Sequence, residues 1–192
     1  MTLFASRRER RLWLWVLAVM AAIYLTLGLA QRLAETLEER GLLDFTVGLF
    51  LLCMLLVGLT ILTQGLRVRP GGAEVAVFIG VATAYLLVLT RMTIPTERSH
   101  LIEYSIVGVL IYEALTERKR RGRRVPLPPV LAVLITVALG AVDEGIQWLL
   151  PNRVFDPVDI LFNTLAGTMA VAASAALTWA RRWTALQRLG LK

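Results

Sequence analysis

The sequence predicts an all-α integral membrane protein, a polytopic bundle of about six transmembrane helices. Of its 192 residues, 57% are hydrophobic, and the mean hydropathy is +0.66, whereas soluble domains are nearer half apolar. A transmembrane helix needs about 20 mostly apolar residues. The chain has six apolar segments near that length, and the fourth has the weakest signal. They are residues 12–30, 45–63, 75–90, 99–115, 127–150 and 158–180.

The distribution of basic residues predicts the orientation of these spans. If the amino terminus lies in the cytoplasm, 16 of the 21 Lys and Arg residues fall in cytoplasmic segments. The other five fall in outer segments, namely Arg32, Arg40, Arg91, Arg98 and Arg153. Because short loops rich in Lys and Arg stay on the cytoplasmic side, both termini are expected in the cytoplasm.

The same distribution accounts for the net charge of +7. The run ERKRRGRR at 117–124 could bind anionic lipid headgroups or nucleic acid. We favour a topology signal for this run, because it lies in a predicted cytoplasmic loop. Membrane lipids are therefore expected partners, and nucleic acid is not.

Three regions follow from the spans. Residues 1–72 form a two-helix membrane region with a basic cytoplasmic start, residues 73–184 a four-helix membrane domain, and residues 185–192 a short cytoplasmic tail. In the last span, small residues including Ala166, Gly167 and Ala170 predict close approach of a neighbouring helix. Residues 31–44 between the first two spans predict a short interfacial helix, because Leu33 and Leu37 lie one turn apart among acidic residues.

Polar residues gather at the predicted outer ends of the last three spans. They are His100, Glu103 and Tyr104 on the fourth, Asp143, Glu144 and Gln147 on the fifth, and Asp159 and Asn163 on the sixth. Within each set, spacings of three or four residues put side chains on one helix face. Since charged groups in hydrocarbon are costly and normally face a bundle interior or a wet cavity, we expect one shared polar pocket near the outer face.

Several of these residues also have a structural interpretation. Asp156 can cap the last helix, with Pro157 at its first position and Asp159 at its third. Arg153 can bind a phosphate or carboxylate with two hydrogen bonds, or it can close the bundle through a salt bridge to a carboxylate. Asn163 lies too deep for capping and is either a hydrogen-bond partner between helices or a ligand contact.

His100 is the single histidine, and its chemistry is open to two interpretations. Near Glu103, and across from Glu144, it can act as a general acid or base. With two carboxylates it can instead ligate a divalent cation. No compact metal motif and no Gly-rich nucleotide loop occurs in the sequence, so neither a metal nor a cofactor is expected.

The spacing of these residues resembles a known family. The pattern is His-x3-Tyr on one helix, followed by Glu-x2-Gln-x3-Pro-x-Arg-x5-Asp-x3-Asn-x3-Gly. It is matched by His100, Tyr104, Glu144, Gln147, Pro151, Arg153, Asp159, Asn163 and Gly167, and Asp156 fits a common variant. This pattern is similar to that of VanZ-like membrane proteins, and it covers about residues 75–180. The resemblance implies a multi-pass protein of the bacterial cytoplasmic membrane, in a family named after a member linked to resistance against the glycopeptide teicoplanin.

Two functions remain open on this basis. The first is an enzyme or binding protein that takes a lipid-linked or cell-wall substrate with an anionic headgroup at the outer leaflet. His100 and Glu144 would be catalytic there, and Glu103, Tyr104, Gln147, Arg153, Asp156, Asp159 and Asn163 would bind the substrate. The alternative is a non-catalytic membrane protein, either structural or partner-binding, whose polar cluster fixes helix packing. A proton-coupled transporter is less favoured, because it would need polar groups near the midplane.

Overall fold

Five α-helices form the described part of the protein. The structure is a computed structural model and describes residues 3–42, 45, 71–91, 95–149 and 157–188. The helices are α1 (Arg7–Glu39), α2 (Gly72–Arg91), α3 (Pro95–Arg120), α4 (Pro128–Leu149) and α5 (Pro157–Arg188). No strand occurs in these ranges, so the all-α prediction is confirmed for them. Five of the six predicted spans fall on these helices, and the span at 45–63 lies outside the described residues except for its first residue.

Helix α1 begins and ends with well-formed caps. The Ser6 hydroxyl accepts a hydrogen bond from the backbone N–H of Glu9, as expected of an N-cap serine. At the other end Gly41 adopts a φ of +64°, and its N–H donates to the Glu38 carbonyl while that of Leu42 donates to Leu37, which is a Schellman motif. The separate interfacial helix predicted for 31–44 is wrong, because residues through Glu39 continue α1 without a break.

Helix α3 lies at the centre of the described bundle. It packs on α1, α4 and α5, and α5 in turn packs on α2 and α4. One buried apolar cluster joins Met20 of α1 and Ile111 of α3 to Ala132 of α4. A second, smaller cluster joins Leu101 and Tyr104 of α3 to Ala166 of α5.

The close approach predicted for the last span is confirmed. Gly108 of α3 faces Gly167 of α5 so closely that a Cβ on Gly108 would lie 3.2 Å from the Gly167 Cα. A Cβ on Gly167 would lie 2.8 Å from the Thr136 Cγ2 of α4. Three helices therefore meet at a point where a larger side chain would separate them.

The distribution of polar and apolar side chains is that of a membrane protein. Large apolar side chains point outward from every described helix, such as Leu17, Leu86, Ile106, Leu134 and Leu161. Ionisable and amide side chains are instead buried between α3, α4 and α5. Water would not favour an apolar exterior around a polar interior, whereas a lipid bilayer does.

Two of the helices pass a length and hydropathy test for crossing a membrane. Helices α4 and α5 each contain an apolar stretch that is long enough to span one. Together with the exposed apolar side chains on the other helices, this is consistent with a helical membrane protein. The count of six spans and the positions of the termini stay predictions.

Candidate functional site

A hydrogen bond between α3 and α4 lies at the centre of the polar cluster. The Tyr104 hydroxyl donates to Asp143 Oδ2 at 3.0 Å, and both residues are fully buried. Tyr104 is held in place because it packs with Leu101 and Ala166 in the second apolar cluster. The sequence predicts a similar depth for Asp143 and Tyr104 on neighbouring helices, and the structure places them in contact. Tyr104 belongs to the family pattern described above, whereas Asp143 does not.

Glu144 and Gln147 extend the cluster along α4. Both side chains are buried, to 0% and 1% exposure. Gln147 lies four residues after Asp143 and three after Glu144, so helix geometry places all three on the side of α4 that faces the bundle. Among the described residues, nothing accepts a hydrogen bond from Gln147 Nε2. A buried amide donor without an acceptor is costly, so Gln147 Nε2 suits an acceptor from a ligand or from a residue outside the described ranges.

Asn163 brings α5 to the same cluster. Its side chain is fully buried, and it fits against α4 because residue 140 is a glycine. A Cβ on Gly140 would lie 2.9 Å from the Asn163 Cβ. Gly140 was missed in the sequence, although its position one turn before Glu144 in an apolar span was a usable signal.

Helix α1 also reaches this region. The Tyr24 hydroxyl donates to the backbone carbonyl of Leu139 at 3.3 Å, and Leu139 lies one turn before Asp143 on α4. Sequence reasoning missed Tyr24, because an isolated tyrosine within an apolar span is common and its partner is a backbone atom of another helix. The first span thus contacts the helix that carries most of the cluster.

The remaining predicted site residues divide into two groups. Glu103 on α3 and Asp159 in the first turn of α5 are partly exposed. His100 lies in α3 one turn before Tyr104, but its side chain lies outside the described residues, as do Arg153 and Asp156 altogether. The predicted meeting of His100 and Arg153 with the carboxylates therefore stays a prediction.

The start of α5 agrees with the capping pattern read from the sequence. The helix begins at Pro157, so Asp159 is its third residue, as predicted. A carboxylate there is favoured by the positive end of the helix dipole. Capping of this helix by Asp156 falls outside the described residues.

A cavity of about 290 Å³ lies apart from the polar cluster, between α2 and α5. Its walls are small and apolar, and include Gly80, Ala84 and Ala173. Tyr85 borders it with the hydroxyl turned to Ser105 Oγ of α3, at 2.8 Å. This cavity offers no charged group to a ligand, so it does not coincide with the predicted polar pocket.

The chemistry available to the cluster is hydrogen bonding and proton transfer. Two carboxyl groups, two amides and one phenol are buried on three helices that pack together, and carboxyl groups in an apolar surrounding can serve as acids or bases. Within the described residues, no three His, Cys, Asp or Glu side chains group closely enough to hold a metal ion. That search does not cover the His100 side chain.

Comparison with known proteins identifies one family. The family model described as VanZ/LLP1 matches residues 1–178. This match extends the resemblance read from the motif, which covered about residues 75–180, to the amino terminus and both of the first two predicted spans. No curated protein and no solved structure matches the chain.

Proposed function

Because the chain belongs to the VanZ/LLP1 family, we propose that its buried polar cluster is a binding site at the outer side of a bacterial cytoplasmic membrane. The ligand is a lipid-linked or cell-wall molecule with an anionic headgroup. In this proposal the protein is multi-pass, has both termini in the cytoplasm, and contributes to resistance against teicoplanin, as the family resemblance implies.

The observation that carries the proposal is the burial of polar groups from three helices in an otherwise apolar bundle. Exposure is at most 1% for Tyr104 of α3, for Asp143, Glu144 and Gln147 of α4, and for Asn163 of α5. Burying so many polar groups costs free energy that apolar side chains would not cost. The Gln147 Nε2 adds a donor that no described residue uses, and an anionic oxygen is a suitable acceptor for it.

The proposed roles follow from position and chemistry. Glu144 and His100 exchange a proton with the ligand, since they lie near the outer ends of adjacent helices. Arg153 holds the anionic group in the loop between α4 and α5, because a guanidinium can donate two parallel hydrogen bonds to a phosphate or carboxylate. Tyr104, Gln147 and Asn163 orient the ligand from the walls.

The tryptophans support the depth of the helix ends, whereas the orientation rests on the basic residues. Trp148, 70% exposed, lies near the end of α4. Trp13 and Trp15 lie near the start of α1, and Trp179 and Trp183 near the end of α5. Tryptophan is enriched at both membrane interfaces, so these positions agree with helix ends at the level of the headgroups.

A substitution at Glu144 tests the proposed site. Glu144→Gln keeps the shape of the side chain and removes its charge, and His100→Ala removes the imidazole. In a teicoplanin-susceptible bacterial host, the wild-type protein is expected to raise resistance, and both variants are expected to lose that effect at normal membrane levels. Glu38→Gln, the same change at an exposed residue of α1, serves as the matched control and should behave as wild type. Full resistance in both site variants would contradict the proposal.

A second function is favoured by the hydrogen bond from Tyr104 to Asp143. Polar side chains that bond across helices can hold a membrane bundle together without binding any ligand. In that case the protein is a non-catalytic membrane protein that acts through a partner. Glu144→Gln would then lower the membrane level of the protein together with resistance, and this result separates the two functions.

A further inference from the structure

The basic residues at one end of the bundle divide into two sets, and the first set forms ion pairs between α1 and α3. Arg8 Nη2 lies 2.9 Å from Glu113 Oε2, and Arg118 Nη1 lies 3.0 Å from Oε1 of the fully buried Glu9. Glu117 of α3 lies 3.8 Å from Arg8 Nη1 of α1, and it is also held by Arg121 Nε, which lies 3.1 Å away and only four residues further along the chain. We call these pairs the clamp, because they hold the start of α1 on the end of α3.

The second set consists of exposed cations that flank the clamp. We call it the basic rim, and it consists of Arg7, Arg10, Arg11, Lys119, Arg120 and Arg124. In contrast to the clamp residues, none of them forms an ion pair with any residue that the structure describes. Because the clamp fixes the two helix ends side by side, the rim concentrates positive charge that no described residue neutralises through an ion pair.

The depth of the rim is indicated by aromatic side chains at the same end. Trp15 lies one turn past Arg11 along α1 and is 62% exposed. On α5, Trp179 and Trp183 stack with ring centroids 5.9 Å apart, and both are exposed. Exposed tryptophans of a membrane protein lie at the headgroup level, so the rim cations beside them lie among or just beyond the headgroups.

We propose that the basic rim binds anionic phospholipid headgroups of the adjacent leaflet. The argument is one of charge and position, because unneutralised cations at the headgroup level attract anionic lipids. Nucleic acid is less favoured as a ligand. The rim lies at the level of the lipid headgroups, so the membrane surface would obstruct a duplex that approached it. This inference does not depend on the function of the polar cluster at the opposite end.

The test compares two double variants of α3, each of which removes two positive charges within the same stretch of helix. Lys119→Gln/Arg120→Gln removes rim cations, and Arg118→Gln/Arg121→Gln removes clamp cations. The purified full-length protein in a neutral detergent is titrated with phosphatidylglycerol or with phosphatidylcholine. Bound lipid is counted by mass spectrometry of the intact complex, and thermal unfolding is measured in parallel.

The wild-type protein is expected to prefer phosphatidylglycerol, and the rim variant should weaken that preference by about tenfold while its melting temperature stays unchanged. Added salt should weaken the preference too, since exposed charges are screened. The clamp variant should instead lower the melting temperature and lose less of the preference. Equal losses in both variants, or equal binding of both lipids by the wild type, would overturn the proposal.

Two competition experiments test whether the rim binds an anion other than a lipid headgroup. Inorganic phosphate at low millimolar concentration and a short DNA duplex are each added to the phosphatidylglycerol complex. Neither should displace the lipid at constant ionic strength. Displacement by phosphate would identify a free-anion site, and displacement by the duplex would identify a nucleic-acid surface, so either result would refute lipid binding at the rim.

Discussion

The hydrogen bond from Tyr104 to Asp143 is the residue-scale feature on which the polar cluster depends. It joins α3 to α4 at 3.0 Å between two residues with no solvent exposure. A buried carboxyl group that loses its hydrogen-bond donor is left desolvated and unpaired, which is unfavourable. At the surface, water would replace the lost donor. The bond should therefore contribute measurably to stability whether or not the cluster binds a ligand.

Tyr104→Phe removes this donor and leaves the ring in place. We expect the free energy of unfolding to fall by about 0.5–2 kcal/mol, measured as a lower melting temperature in detergent. Tyr112→Phe is the matched control, because Tyr112 is a buried tyrosine of the same helix whose hydroxyl bonds to none of the described residues. A melting temperature equal for the Tyr104 variant and the control would show that the bond does not stabilise the fold.

At the scale of elements, glycines decide how closely α4 and α5 approach. Gly140 leaves room for the Asn163 side chain between the two helices, and the Cβ that it lacks would lie 2.9 Å from the Asn163 Cβ. Real Cβ atoms essentially never come this close to another carbon, so the helices would have to separate. The position of Asn163 in the cluster is therefore set by the opposite helix.

Gly140→Ala should destabilise the bundle by about 1–3 kcal/mol, the range found when extra carbon is forced into a packed core. Gly145→Ala is the matched control on the same helix, because a Cβ there meets nothing within 4 Å. The control should be neutral or slightly stabilising, since alanine favours a helix over glycine by up to about 1 kcal/mol. Unfolding in detergent measures both variants, and equal stability of the two would contradict the close approach.

The contact between α1 and α3 depends on carboxylates and therefore on pH. The pKa of Glu117 is lowered from its ordinary value of 4.5, chiefly by the hydrogen bond from the Ser6 hydroxyl and next by that from Arg121. A carboxyl group whose pKa is lower in the folded state stabilises that state above its unfolded pKa. This stabilisation is lost as the pH falls below 4.5 and through the folded-state pKa.

Glu117→Gln should consequently lower the melting temperature at neutral pH, and the difference from wild type should shrink when both are measured well below pH 4.5. Glu38→Gln changes an exposed carboxylate that forms no ion pair with the described residues, and it should leave the melting temperature unchanged at either pH. A constant difference between wild type and Glu117→Gln across this range would show that ionisation of Glu117 does not tie α1 to α3.

At the scale of the whole molecule, the apolar exterior and the buried polar residues of the described helices are the arrangement that a bilayer favours. Leu86, Leu134 and Leu161 are each about three-fifths exposed on three different helices, whereas Glu144 and Asn163 are buried between helices. At about 1.5 Å per residue, the 22 residues of α4 are long enough to cross the roughly 30 Å hydrocarbon core. The proposed orientation then places Arg40 outside and Arg124 inside.

Cysteine labelling in intact cells tests that orientation. In a Cys53→Ser background, Arg40→Cys should react with a membrane-impermeant maleimide, and Arg124→Cys should react only after the membrane is permeabilised. Both positions are exposed at helix ends, so each serves as the control for the accessibility of the other. Labelling of Arg124→Cys alone would invert the proposed topology. Labelling of both in intact cells would place both outside and would therefore reject the odd number of spans, three, that the proposal puts between them.

Much of the architecture is readable from the sequence because its causes are local. The apolar segments at 75–90, 127–150 and 158–180 each lie within a helix of the structure, apart from Leu127 and residue 150 at the ends of one of them. The start of α5 at Pro157 also agrees with its capping pattern. Helix α1 was predicted too short, since its polar last turns have no apolar signal but still continue the backbone hydrogen bonds to a Schellman cap.

The candidate site is readable only in part. The motif and the depth argument select Tyr104, Glu144, Gln147 and Asn163, and each of these is buried in the structure. The motif and the depth argument do not select Tyr24 or Gly140. Tyr24 contacts Leu139 and Gly140 contacts Asn163, and each contact joins two helices at positions that no regular sequence spacing relates.

The sequence by itself determined the class of protein, the family, most of the helices and the positions of the charges along them. Hydropathy, capping and charge bias act within a single segment, so a single segment reveals them. Only the tertiary structure decided that Tyr104 bonds to Asp143, that Gly140 accommodates Asn163, and which arginines pair with Glu9 and Glu117. These contacts depend on the rotation and depth of each helix against its neighbours, and close packing at small residues sets both.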